Sequence, residues 1–236
     1  MIVQIYGTKT LQDADALARM GVDYIGLEVE ADSIDQATMK EIVKNVRDRV
    51  TTVLLPLFTD LDDILRLVGD IQPHVLHLCN ADMLPLDQAS AFRAELGDVK
   101  LLQAVAVGLP GRSHEIDSMA LALAYESVAD IILLDTFAGD YSAASTEIPG
   151  WIGITGKTHD WALSREIVAR CRKPVILAGG LDPQNVRAAI EVVRPWGVDS
   201  HTATNLRKGK KDLEKVAAFV RAVRDWETEQ IIDQQI

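Results

Sequence analysis

Residues 174–190 read PVILAGGLDPQNVRAAI and join a strand pattern to a helix pattern through a short turn. The apolar, β-branched run at the start of this stretch predicts a buried strand, and the amphipathic pattern at its end predicts a helix. Gly179 and Gly180 lie between the two. A buried strand that leads directly into a helix is typical of α/β folds with parallel strands.

The same strand–helix unit recurs eight times along the 236 residues. Such alternation implies parallel pairing with right-handed crossovers. Eight units in a chain close to the usual length of about 250 residues predict a (β/α)8 TIM barrel, with residues 1–236 as a single domain. The alternative is an open doubly wound sheet, but no G-x-G-x-x-G motif follows the first strand, where a dinucleotide-binding fold usually carries one.

The predicted strands are Ile2–Tyr6, Asp23–Val29, Thr51–Leu57, His74–Leu78, Val99–Val105, Asp130–Asp135, Pro174–Ala178 and Gly197–His201. The predicted helices are Leu11–Met20, Ile34–Arg49, Asp60–Gly69, Asp87–Leu96, Glu115–Ser127, Trp161–Cys171, Pro183–Val193 and Leu213–Trp226. Residues 227–236 either extend the last helix or form a frayed tail. The irregular stretch Thr136–Asp160 is long for a loop in a compact domain, which is typical of a functional or mobile segment.

Composition and charge narrow the class of partner. The net charge of −11 argues against nucleic acid and anionic membranes, because both select basic surfaces. The two cysteines, Cys79 and Cys171, are far apart in the sequence and indicate no disulfide framework, so a reducing compartment is expected. They also lack the spacing of metal ligands, and no metal or cofactor is predicted. No apolar stretch approaches the roughly 18 residues of a membrane span, and no signal peptide is visible. We therefore expect a cytoplasmic protein, either a monomer or a homodimer.

In this fold, polar residues at the carboxyl ends of the strands are candidates for chemistry. Asp135 directly follows the apolar run Ile131–Leu134. A carboxyl group beside an apolar barrel mouth can have a raised pKa and act as a general acid. The structural alternative is a carboxylate that caps a loop or pairs with a lysine. The complete set of candidates is Tyr6, Glu28, His77, Cys79, Gln103, Asp135 and His201.

The turn at Gly179–Gly180 predicts a phosphate site. Two glycines allow backbone N–H groups to approach an anion, and barrels often hold phosphate between the loops that follow strands seven and eight. The alternative is a tight turn that simply requires glycine. The basic cluster 207–211 either attracts a phosphate to the barrel mouth or forms a solvated surface run. The expected partner is a phosphorylated, sugar-like small molecule.

Several motifs, taken in order, resemble the phosphoribosylanthranilate isomerase family of tryptophan biosynthesis. They are ADIILLDT (129–136), GITGKTHDW (153–161), PVILAGGLDPQNVRAAI (174–190), GVD (197–199) and GKKDLEKVAAFVRAVR (209–224). Residues 4–30 are similar to the family's opening strand, helix and second strand. The resemblance implies an Amadori rearrangement, in which a general acid opens the ribose ring and a base removes the C2′ proton. It places Asp135 at the general acid, and Gly179 and Gly180 at phosphate-binding backbone positions.

The chain departs from the family pattern at four places. Tyr6 stands at the position of the family's cysteine base. Residues 30–35 contain no match to the Ser-Pro-Arg whose arginine holds the anthranilate carboxylate. The family's Gln-Leu-His-Gly appears as residues 77–80, which makes His77 and Cys79 candidate substitute bases. Its Ser-Ser-Gly phosphate cradle appears as residues 201–203, so Thr202 and Ala203 are the corresponding phosphate-binding positions.

Three interpretations stay open from the sequence. In the first, the protein isomerises a phosphoribosyl amine with a different base. In the second, acid chemistry and sugar-phosphate binding persist while the substrate or reaction has changed, as the missing arginine suggests. In the third, the barrel is not an enzyme and only binds a ligand or partner, because one fold hosts many functions.

Overall fold

The structure is a computed structural model that describes residues 1–29, 36–80, 83–137, 152–153, 156–207 and 209–233. Eight parallel strands form a closed barrel in chain order, with eight α-helices among the described residues. The predicted (β/α)8 fold is therefore confirmed, and the open sheet is excluded. The strands are β1 (Ile2–Ile5), β2 (Tyr24–Val29), β3 (Thr51–Pro56), β4 (Val75–Leu78), β5 (Lys100–Gly108), β6 (Ile131–Phe137), β7 (Val175–Leu177) and β8 (Gly197–Ser200). The helices are α1 (Leu11–Arg19), α2 (Gln36–Val46), α3 (Leu61–Ile71), α4 (Leu86–Glu95), α5 (Ser118–Tyr125), α6 (Trp161–Arg170), α7 (Val186–Val193) and α8 (Leu213–Asp233).

The barrel closes at a seam between its first and last strands. β1 pairs with β8 in a register that places Ile5 opposite Ser200. The N-terminal ammonium group forms an ion pair with Glu227 of α8. On the same helix, Arg224 donates a hydrogen bond of 2.7 Å to the Met1 carbonyl oxygen. The final helix therefore holds the first strand in place.

Two hydrophobic cores stabilise this arrangement. The larger one lies between the strands and the helices and includes Phe219 of α8, which is fully buried. The smaller one contains inward-facing strand residues such as Leu102, Leu133 and Ile176. Burial of one large apolar side chain contributes roughly 1.5–3 kcal/mol. The smaller core therefore fills the interior of the barrel with packed side chains.

The start of α5 differs from the sequence prediction because of a capping side chain. The Asp117 carboxylate accepts a 3.0 Å hydrogen bond from the Ala120 amide, so the helix begins at Ser118 rather than Glu115. Residues 113–115 form a separate 3-10 turn. Aspartate at this position satisfies a free amide of the first helical turn.

The region after β8 also differs from the prediction. A short antiparallel pair, β9 (Asn205–Arg207) and β10 (Lys210–Lys211), precedes α8. The last helix continues past Trp226 to Asp233, so residues 227–233 extend it; residues 234–236 lie outside the described part. Across the described ranges, no helix is both long enough and apolar enough to cross a membrane.

Candidate active site

Two adjoining cavities open at the carboxyl ends of the strands. The outer cavity, of about 190 Å³, lies over the ends of β6, β7 and β8. The inner cavity, of about 40 Å³, extends towards β1 and β4. Asp135, Asp199 and His201 line both, so the two cavities share a wall. This is the face on which barrel enzymes place their chemistry.

Asp135 lies at the wall shared by the two cavities. Burial of the carboxyl group raises its pKa to about 7, although a hydrogen bond from the Thr136 amide acts in the opposite direction. That bond joins Thr136 N to Asp135 Oδ1 over 2.7 Å. Gly153 packs directly against the carboxylate, since a Cβ atom there would lie 1.9 Å from Oδ2. Among the described residues, no lysine or arginine forms an ion pair with Asp135.

The turn after β7 requires both of its glycines. Gly179 and Gly180 have φ angles of +81° and +60°. A Cβ atom on Gly179 would lie 2.3 Å from Thr136 Oγ1, and one on Gly180 would lie 2.6 Å from the Lys157 carbonyl carbon. The Asn185 side-chain amide donates a 2.9 Å hydrogen bond to the Gly180 carbonyl oxygen. This bond turns the carbonyl towards the start of α7 and fixes the loop.

Two loops contribute backbone to the wall of the outer cavity. One contains Gly179 and Gly180, and the other contains Thr202 and Ala203. The latter two belong to a 3-10 turn over residues 202–204. Between described residues, none of these four amides donates a backbone hydrogen bond. N–H groups at a glycine turn and at the start of a helical turn are of the kind that bind anions in proteins.

The three predicted bases lie together in the inner cavity. The Tyr6 hydroxyl forms a 2.6 Å hydrogen bond with His77 Nδ1, and the Cys79 thiol donates to the Ile152 carbonyl oxygen over 3.1 Å. Burial raises the pKa values of Tyr6 and Cys79 well above their ordinary ranges. Burial also lowers the pKa of His77 to about 3. Near neutral pH, Tyr6 and Cys79 therefore stay protonated and offer no ionised form as a base, and the neutral His77 ring is a weak proton acceptor.

Asp199 is a site residue that sequence reasoning missed. It lies within β8, is 7 % exposed, and accepts a 3.1 Å hydrogen bond from Gln4 Nε2. Burial raises its pKa to about 8, and the negative charge of Asp135 adds to the effect. The sequence signal that could have identified it is its acidic side chain within the predicted strand Gly197–His201, in the GVD motif at 197–199.

The remaining strand-end candidates have different surroundings. Glu28 Oε1 lies 3.1 Å from His201 Nε2. The Gln103 amide instead donates to the carbonyl oxygens of Leu78 and Ala104, which is a structural role. Over the described ranges, no three His, Cys, Asp or Glu side chains are arranged to hold a metal ion.

The basic cluster 207–211 does not behave as one surface run. Arg207 and Lys210 are exposed, but Lys211 is 2 % exposed. Its Nζ donates to the His201 carbonyl oxygen over 3.2 Å and to Thr204 Oγ1 over 3.3 Å. Burial lowers the pKa of Lys211 to about 8. This lysine therefore supports the loop that carries His201.

Two segments singled out in the sequence fall outside the described residues. One is 30–35, where the family's arginine motif has no match. The other is most of the long Thr136–Asp160 stretch, namely residues 138–151 and 154–155.

The fold and the site define a (β/α)8-barrel enzyme with a buried carboxyl group beside a glycine turn at the carboxyl ends of its strands. The family model for N-(5′-phosphoribosyl)anthranilate isomerase matches residues 3–222. The chain therefore belongs to the phosphoribosylanthranilate isomerase family, as the sequence motifs indicated, and this family consists of isomerases of tryptophan biosynthesis.

Individual relatives match over nearly the whole chain. An N-(5′-phosphoribosyl)anthranilate isomerase of Methanocella arvoryzae is 36% identical over 230 residues, covering 94% of this chain and 97% of the relative. The structure of monomers derived from the dimeric Thermotoga maritima enzyme has a TM-score of 0.74 at 27% identity, covering 95% and 100% of the two chains. A phosphoribosylanthranilate isomerase in complex with reduced 1-(o-carboxyphenylamino)-1-deoxyribulose 5-phosphate has a TM-score of 0.74 at 26% identity, with the same coverage.

Proposed function

We propose that this chain isomerises N-(5′-phosphoribosyl)anthranilate from an aldose to a ketose form. The observation that carries the proposal is the shared cavity of Asp135 and the Gly179–Gly180 turn. A related isomerase was solved with a reduced carboxyphenylamino-deoxyribulose phosphate. That molecule combines a phosphate with an open sugar chain, so it suits a cavity with an anion site at one end and an acid at the other.

In this proposal, Asp135 is the general acid. A pKa of about 7 leaves the carboxyl group close to half protonated at neutral pH, where it can donate a proton and then stay ionised. It protonates the ribose ring oxygen as the bond from this oxygen to C1′ breaks. The ring opens, and the anthranilate nitrogen and C1′ form an iminium ion.

The phosphate is held by backbone rather than by basic side chains. Gly179, Gly180, Thr202 and Ala203 line the outer cavity, and in this proposal their backbone amides donate to the phosphate. Neutral donors of this kind bind an anion in a chain whose net charge is −11. They also leave the nearby acid free of a cation that would lower its pKa.

The second proton transfer needs a base near β1. Tyr6, His77 and Cys79 remain candidates by position, since all three line the inner cavity. As single groups they are poor acceptors at neutral pH, because burial shifts each pKa away from neutral. Tyr6 could act only if its own proton moved to His77 as it accepted the substrate's proton.

The proposed proton transfers use side chains of the chain itself, so the reaction as written needs no metal or cofactor. A phosphorylated small molecule is the proposed partner, and neither nucleic acid nor a membrane is involved. The related Thermotoga maritima enzyme is described as dimeric, which supports the homodimer over the monomer. A cytoplasmic location stays a prediction from the two free cysteines.

The test is a turnover assay on N-(5′-phosphoribosyl)anthranilate with the wild type and Asp135→Asn. Loss of a general acid should lower kcat by about 10²–10⁴-fold. Asp70→Asn, on the exposed end of α3, is the matched control and should keep wild-type turnover. Wild-type protein that binds a sugar phosphate saturably without turnover would overturn the proposal in favour of a changed substrate.

A further inference from the structure

His201 and Glu28 form a pair that the proposed function does not use. Glu28 is on β2 and His201 follows β8, on either side of β1. Their side chains are 11% and 23% exposed, and the Glu28 Oε1 to His201 Nε2 distance is 3.1 Å. Both line the inner cavity, and His201 also lines the outer one. The imidazole therefore stands where the acid and the anion site meet.

This imidazole occupies the corner of the cavity next to the family's base position. A Cβ atom on Gly7 would lie only 2.8 Å from His201 Nε2. Gly7 directly follows Tyr6, at which the family carries its catalytic cysteine. The Tyr6 hydroxyl is turned away towards His77 on β4. A group able to take a proton is thus present at this corner, but it comes from the neighbouring strand.

Burial and the nearby charged groups together determine the protonation state of His201. The Glu28 carboxylate on β2 lies 3.1 Å from Nε2, which favours the neutral tautomer with its proton on Nε2 and its lone pair on Nδ1. Lys211 of β10 donates to the His201 carbonyl oxygen over 3.2 Å. Burial lowers the pKa of His201, and Lys211 and Lys9 act in the same direction, whereas Glu28 raises it. Asp135 and Asp199 complete the set of titratable groups that line both cavities with it.

We propose that His201, oriented by Glu28, is the base that removes the C2′ proton. The inference rests on the proposed isomerase function. After ring opening, Nδ1 takes the proton from C2′, and the C2′–H electron pair forms the C1′=C2′ bond. The π electrons of the iminium bond move to the nitrogen, which gives the neutral enolamine. The imidazolium that results lies against the Glu28 carboxylate, which stabilises its positive charge.

The experiment compares His201→Asn, Glu28→Gln and Tyr6→Phe with the wild type, by kcat, KM and the pH profile of kcat/KM. His201→Asn should lower kcat by about 10²–10⁴-fold, the range for loss of a general base. Glu28→Gln should move the acidic limb of the profile to lower pH, because Glu28 raises the pKa of His201. Tyr6→Phe compares the two candidate bases, and its kcat should fall by less than that of His201→Asn. A merely structural role for Glu28 would not move that limb.

The possible results separate the two proposals. No turnover by the wild type overturns the isomerase function and the base assignment together. If the wild type turns over and His201→Asn has an unchanged kcat, the base assignment alone is overturned. A rise in the KM of His201→Asn at constant kcat also overturns it, because that result would mean that His201 binds the phosphate. Loss of kcat in Tyr6→Phe with an active His201→Asn would give the role to the Tyr6–His77 pair. Circular dichroism of each variant is the control that tests whether it is folded.

Discussion

Replacing Asp135 with asparagine should stabilise the barrel at alkaline pH while it removes activity. Burial raises the pKa of this carboxyl group from 3.8 to about 7. Between those values the folded chain holds a proton that the unfolded chain releases, so stability falls as the pH rises. Asparagine has the same shape and can keep the bond from the Thr136 amide, but it carries no charge.

The size of the effect follows from the two pKa values. The interval from 3.8 to about 7 corresponds to roughly 4 kcal/mol, at about 1.4 kcal/mol for each pH unit. Asp135 is partly exposed through the cavity, and water there screens the charge, so this figure is an upper value. From about pH 5 to about pH 8.5, the advantage of Asp135→Asn over the wild type should grow by up to about 3 kcal/mol.

The assay is urea unfolding of both proteins at the two pH values, followed by circular dichroism. Asp70→Asn controls for the loss of one negative charge from the chain as a whole. An advantage of Asp135→Asn that is the same at both pH values would refute the reasoning, because it would show that ionisation of this carboxyl group costs nothing in the folded state.

Two further substitutions test the anion site and the core. Gly180→Ala should raise KM by about tenfold, or about 1.4 kcal/mol, with a smaller change in kcat, because the new Cβ atom would lie 2.6 Å from the Lys157 carbonyl carbon at a φ of +60°. An unaltered KM in steady-state kinetics would contradict a phosphate contact at this turn. Phe219→Ala should lower the free energy of unfolding by about 3–5 kcal/mol, because this side chain of α8 is fully buried. A loss below about 1 kcal/mol, measured by urea unfolding, would mean that α8 packs loosely.

Much of the fold could be predicted because hydrophobic periodicity is a local property. Each strand and helix appears in its own stretch of sequence, and eight repeats indicate a closed barrel. The predicted ends of the helices and strands were less accurate, since these ends depend on capping contacts such as that of Asp117 with the Ala120 amide. The β9–β10 pair was not predicted, because its strands contain only three and two residues.

The candidate site was predictable where position in the barrel determines proximity. Asp135, the Gly179–Gly180 turn and the 202–203 turn lie at neighbouring strand ends, and the structure brings them into one cavity. Side-chain direction and burial could not be predicted in the same way. The Tyr6 to His77 hydrogen bond joins β1 and β4, and Lys211 is buried within a run that looks solvated. These depend on the packing of distant segments.

The seam between β1 and β8 cannot close before the part of the chain that carries β8 has been made. Ile5 and Ser200 pair although almost the full length of the protein separates them, and contacts of such long sequence separation carry a loop-closure cost that slows folding. A nascent chain that lacks β8 presents β1 and β7 as open edges, which can associate with other chains. Asp199 and His201 also arrive with β8. Closure of the ring thus ends the period of aggregation risk and creates the catalytic pocket in the same event.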